Sequence, residues 1–68
     1  MGYRATAVLP YEYLGRATAG LRGRLRLMAV ADDVVPDWST LQVTGPTKSL
    51  DGRGRTWFEW TATVEGAA

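Results

Sequence analysis

The chain has 68 residues, of which 46% are hydrophobic and 22% charged, with a formal net charge of +1 and neither cysteine nor histidine. That balance predicts one small globular domain over residues 1–68 and excludes wholesale disorder. Disulfides, histidine acid–base catalysis and histidine metal ligation are excluded outright, and no apolar run has the length of a membrane span.

The first segment, Tyr3 to Leu9, alternates as a half-buried strand does. Tyr3, Ala5, Ala7 and Leu9 fall on one side, Arg4 and Thr6 on the other. Pro10 lacks an amide donor and ends the ladder.

Residues 11–30 admit two readings. As a helix, Leu14, Ala17, Thr18, Leu21, Leu25 and Met28 share one face, while Arg16, Arg22 and Arg26 point away and Arg24 sits at the edge. Gly15, Gly20 and Gly23 oppose this, at about 1 kcal/mol each relative to alanine. As a strand, Arg24 to Val30 alternates leucine and alanine with arginine, which would make the domain a small all-β barrel. The helix is preferred, because its stripe persists over four turns and the alternation breaks at Met28.

Asp32 to Asp37 reads as a linker, with Pro36 preventing helix continuation. From Trp38 to Thr44 the pattern alternates again, with Leu41 and Val43 on one face and Trp38, Thr40, Gln42 and Thr44 on the other. Gly45-Pro46 breaks or bends this strand. Asp51-Gly52 with Gly54 is a turn signature. Arg55 to Val64 is the clearest strand: Thr56, Phe58, Trp60, Ala62 and Val64 form a core face, and Arg55, Trp57, Glu59, Thr61 and Thr63 a mostly polar one. The expected fold is therefore α+β, a single helix packed on a three-stranded antiparallel sheet in the order β-α-β-β.

On this pattern Trp38 and Trp57 lie on the sheet face opposite the helix, where a single protomer leaves them wet. Either a second copy of the sheet covers them, or the register differs and they belong to the core, or they stack on a planar ligand, with Gln42 or Glu59 orienting it. Arg16, Arg22, Arg24 and Arg26 are the candidate nucleic-acid contacts, but they spread around the helix instead of converging as phosphate recognition requires. Asp32, Asp33 and Asp37 lack the spacing of a calcium loop, the serines have no histidine to activate them, and no enzymatic activity is expected.

A chain this short buries only about 60% of the surface its unfolded form exposes. Domains of this size need a staple, and without disulfides the leading one is self-association into a homo-oligomer. Residues 1–31 carry five arginines against Glu12 alone, whereas residues 32–68 carry six acids against three bases. These halves are expected to face each other within a protomer or between protomers. Arg4 is not followed by the apolar stretch of a signal peptide, so the expected location is the cytoplasm and no membrane partner is expected.

The C-terminal half resembles the dodecins, small oligomeric flavin-binding proteins. Asp37-Trp38 is similar to the opening of the family's second strand, Leu41-Gln42 follows at similar spacing, and Asp51-Gly52 falls near its hairpin turn. Phe58-x-x-Thr61-x-x-Val64 is similar to its last strand, and Tyr3-Arg4 to the start of its first. The resemblance implies the strand-helix-strand-strand order, oligomerisation, and a flavin stacked on Trp38. Glu59 stands where the family has a flavin-contacting glutamine, so an acceptor remains but the amide donor is gone. A dodecin-like ligand-binding or storage module is thus the leading expectation. The alternative is an interaction module for nucleic acid or a protein partner.

Overall fold

The computed structural model describes residues 2–67. Its elements run β1 (Gly2–Leu9), α1 (Leu14–Ala31), β2 (Val35–Leu50) and β3 (Thr56–Ala67). The three strands form one open antiparallel sheet in the spatial order β1-β3-β2, with α1 packed across one face. The helix reading holds from Leu14 to Ala31, with residues 11–13 lying before the helix, and the sheet is open, not a closed barrel.

β3 is central, paired with β1 on one side and β2 on the other, and its buried residues alternate with outward-facing ones. Trp60, Ala62 and Val64 are buried beneath the helix, and Glu59 and Thr63 point to the open face. β1 pairs with it in unbroken register from Gly2↔Glu65 to Leu9↔Phe58. Tyr3, Ala5 and Ala7 consequently join the same buried layer. The helix contributes Ala17, Leu21, Leu25 and Ala29, one row at four-residue spacing. Leu14 and Met28, expected in the stripe, are 57% and 44% exposed instead. A row at this spacing drifts around the helix, so contact with a flat layer follows the row that crosses it and leaves the flanking residues out.

The core is small. Of ten buried hydrophobic residues, five are alanines. Small side chains on both layers let the helix approach the sheet closely, and Leu21, Leu25, Trp60 and Val64 supply most of the volume. Burying Leu21 and Leu25 completely contributes roughly 1.5–3 kcal/mol each, enough to offset the three helix glycines. At the end of the helix, the Tyr3 hydroxyl donates to Asp32 Oδ2 at 3.0 Å, tying β1 to the helix C-terminus. Burial, and then the neighbouring Asp32, push the Tyr3 phenol above its ordinary value.

β2 is longer than its sequence pattern suggested. It begins at Val35, within the expected linker, and passes through Gly45-Pro46 as a bent strand. Two register shifts interrupt its pairing with β3. Between Asp37↔Glu65 and Gln42↔Thr63, β2 advances five residues while β3 advances two; between Thr44↔Thr61 and Thr47↔Glu59 it advances three against two. Local hydrogen bonds hold the first shift. Asp37 Oδ1 accepts from the Ser39 amide at 3.2 Å and the Ser39 hydroxyl at 2.6 Å. The Thr40 hydroxyl donates to the Asp37 carbonyl at 2.7 Å and accepts from the Glu65 amide at 2.8 Å. At the second shift, Gly45 adopts φ +117 and lies against the β3 backbone.

Among the described residues no third strand pairs beyond Leu9↔Phe58, and β2 and β3 continue as a two-stranded ribbon through the turn. The molecule measures 44 × 20 × 16 Å. Its radius of gyration is 13.2 Å, against about 11 Å for a compact chain of this length. No helix among the described residues is long and apolar enough to cross a membrane.

Candidate functional site

The open sheet face carries threonines interspersed with Arg4, Gln42, Glu59 and Glu65, except where the ribbon begins. There Trp57 projects from β3, next to its cross-strand partner Ser49. Val8, Leu50 and Asp51 complete a shallow depression around the indole. Val8 is 51% and Leu50 71% exposed, so the patch is apolar and uncovered. Glu59 follows Trp57 by two residues, on the same face and about 7 Å along the strand.

The turn orients the indole. Asp51 Oδ1 accepts from the amides of Arg53 at 2.8 Å and Arg55 at 3.0 Å. Its other oxygen accepts from Trp57 Nε1 at 3.0 Å. Gly54 supplies φ +76, which lets the chain reverse and its amide donate to the Asp51 carbonyl at 3.1 Å. One carboxylate therefore fixes both the turn and the ring that the turn presents.

The hydrogen bond from Trp57, followed by those from the Arg55 and Arg53 amides, holds the Asp51 carboxyl below its ordinary value of 3.8. A depressed folded-state value means that the charged form stabilises the turn fully above the ordinary carboxylate range. That contribution is lost as pH falls through the depressed value. In a titration of the Trp57 indole proton resonance, the midpoint is expected below 3.8, and Asp51→Ala should abolish the transition. A midpoint at or above the ordinary aspartate range would contradict this geometry.

The other expected ligand residues do not gather here. Trp38 is on the helix side, packed against the core with Arg22 Cζ 4.8 Å from its ring centre. The first register shift is the reason: an odd excess of residues reverses the facing of everything before it, so Trp38 and Val43 share a side that simple alternation denies them. Gln42 does lie on the open face, but it pairs with Thr63, six residues and about 20 Å along β3 from Trp57. Of the four residues read as a ligand site, only Trp57 and Glu59 are neighbours. Val8 and Leu50 escaped the sequence reading although Val8 is an apolar residue on the polar side of an alternating strand. Leu50 falls beyond the apparent break at Gly45-Pro46.

The helix arginines do not converge. Arg16 lies 5.8 Å from the Tyr11 ring centre, Arg22 lies over Trp38, and Arg24 donates to the Thr6 carbonyl. Arg22 and Arg26 do line a shallow groove with Ala19 and Gly23 on the outer surface of the helix. Among the described residues no three acidic side chains come together as a metal site. No family model, curated protein or solved structure matches the chain.

Proposed function

We propose that this chain is a non-enzymatic, self-associating binding module that holds a planar ligand against Trp57 on the open sheet face. The observation that carries the reading is the indole itself. It stands outside the domain's own core, held in one orientation by Asp51 and flanked by exposed Val8 and Leu50. A ring fixed before the ligand arrives loses little rotational freedom on stacking, and the flanking aliphatic groups extend the apolar contact. Glu59 accepts hydrogen bonds from donors on the ligand's rim. A flavin-like ring fits this chemistry, and the dodecin resemblance supports the same class. In this chain the stacking role passes from Trp38, occupied by Arg22, to Trp57.

Riboflavin is a suitable probe. Its addition is expected to quench tryptophan emission saturably, and Trp57→Ala should weaken binding at least about fivefold, since an aromatic stack is worth about 1–3 kcal/mol. Trp38→Phe should leave affinity nearly unchanged. Absence of quenching by the native chain would sink the ligand half of the proposal, and a monomer at every concentration in light scattering would sink the assembly half. The nucleic-acid reading has weaker support, because Arg16, Arg22 and Arg24 are already engaged within the chain. The groove between Arg22 and Arg26 is what favours it, and retention on heparin that falls steeply with salt would be its signature.

A further inference from the structure

Among the described residues no third strand pairs with the ribbon beyond Leu9↔Phe58, and Val8 borders its open side next to Trp57. A two-stranded hairpin alone is marginally stable at best in water, yet this one carries apolar groups on both sides. Trp57 projects on the open side, while Leu50, 71% exposed and paired with Thr56 on the opposite side, reaches the edge of the Trp57 depression and lines a second one with Lys48 and Thr56. The surface area of the whole chain agrees with an uncovered arm. It exposes 4762 Å², whereas a compact chain of this length exposes about 4,200 Å². The excess of roughly 550 Å² approaches the ~800 Å² that each partner contributes to an ordinary interface.

Charge identifies what covers the arm. Arg53 and Arg55 sit at its tip, Lys48 lies at its root with its ammonium 6.0 Å from the Phe58 ring centre, and the one acid at the tip, Asp51, is turned inward to the turn amides and Trp57. At the opposite end of the 44 Å long axis the helix ends in Asp32 and Asp33. Asp37 and Glu65 face each other across the sheet nearby, with Arg4 the neighbouring cation on β1. That end also exposes apolar surface, with Val30 at 64% and Val35 at 71%. One end is apolar with a cationic rim, and the other is apolar with an acidic rim.

We infer that the ribbon arm docks on a second copy of this chain, its Arg53 and Arg55 against the Asp32 and Asp33 end of the partner. An antiparallel two-fold arrangement makes both tip-to-base contacts at once and closes the assembly. The inference rests on the self-association proposed above and adds to it which surfaces meet and how salt controls them. Opposite charges at the rim mean that assembly weakens as the screening length shrinks from about 10 Å at about 0.1 M salt to about 3 Å at about 1 M.

Sedimentation equilibrium across that salt range tests it. The dissociation constant is expected to rise at least tenfold. The variant with Arg53→Glu and Arg55→Glu, whose side chains lie outside the turn's hydrogen bonds, should be monomeric with an unchanged circular dichroism spectrum. So should a variant with Asp32→Lys and Asp33→Lys. Mixed one to one, the two should recover a dimer, because each tip then meets a base of opposite sign. Should loss of the Tyr3–Asp32 bond unfold the base variant, Asp33→Lys alone, which keeps that bond, should partly restore association when mixed with the tip variant. A dimer indifferent to salt and to the arginine changes would overturn the tip-to-base contact while leaving self-association standing. A monomer under all conditions would overturn both.

Discussion

Replacing Trp60 by alanine is expected to unfold the domain at room temperature. Trp60 sits on the central strand at 4% exposure, opposite Ala7 and on the same face as Ala62. Its alanine neighbours cannot close the space it would leave. Large-to-small changes at such positions cost about 3–5 kcal/mol. At roughly 0.05–0.15 kcal/mol per residue, a domain of this length has a total stability of that same order. A urea titration followed by far-ultraviolet circular dichroism should show little or no folded baseline for Trp60→Ala, and a loss below about 1 kcal/mol would contradict the packing described. Trp60→Phe separates volume from polarity. The indole Nε1 is buried with no hydrogen-bond partner among the described residues, a penalty of about 1–3 kcal/mol. Phenylalanine removes that penalty while keeping most of the ring, so its net cost should be far smaller.

Gly45→Ala is expected to be nearly as damaging, for a different reason. At φ +117 an alanine is strained wherever it stands, and its Cβ would meet the Glu59 carbonyl oxygen at 2.7 Å. That obstacle is backbone of the central strand, which cannot swing away as a side chain does. Strain of this kind costs about 1–3 kcal/mol before the contact is counted. The consequence reaches the candidate site, because the one-residue excess at Gly45-Pro46 sets the register in which Ser49 faces Trp57. Amide exchange from Thr47 to Phe58 should accelerate, and the Trp57 indole resonance should move toward its solvent-exposed position. The same substitution at Gly20 has the opposite sign. No atom outside the local helix lies within 4 Å of a Cβ there, so alanine should stabilise the helix by about 1 kcal/mol. If Gly45→Ala and Gly20→Ala behaved alike in thermal melts, the close approach at Gly45 would be wrong.

The ligand site and the assembly share the ribbon, and this sets a condition on both. Trp57, Leu50 and Val8 form the uncovered apolar patch, so a second copy seated on the arm would border any ligand stacked there. Asp51 serves both by holding the turn and the indole together.

Much of this architecture can be read from residue order alone. The alternation of β3, the Asp51-Gly52 turn, the β-α-β-β order and the helical row through Ala17, Leu21 and Leu25 are local patterns. Each is set by where apolar groups recur along a few turns or a few strand residues. Trp57 and Glu59 are legible for the same reason, since β3 keeps its period of two without interruption. Facing in β2 is not local. Its side chains alternate within each regular stretch but reverse facing at each of the two shifts, whose sizes depend on which β3 residues answer across the ladder. The Asp37, Ser39 and Thr40 hydrogen bonds, completed by the Glu65 amide 25 residues away, turn Trp38 inward to Arg22. The contact between Gly45 and the β3 backbone turns Ser49 outward to Trp57. Residue order states the parity of a side chain, but only the neighbouring strand states how often that parity is reversed.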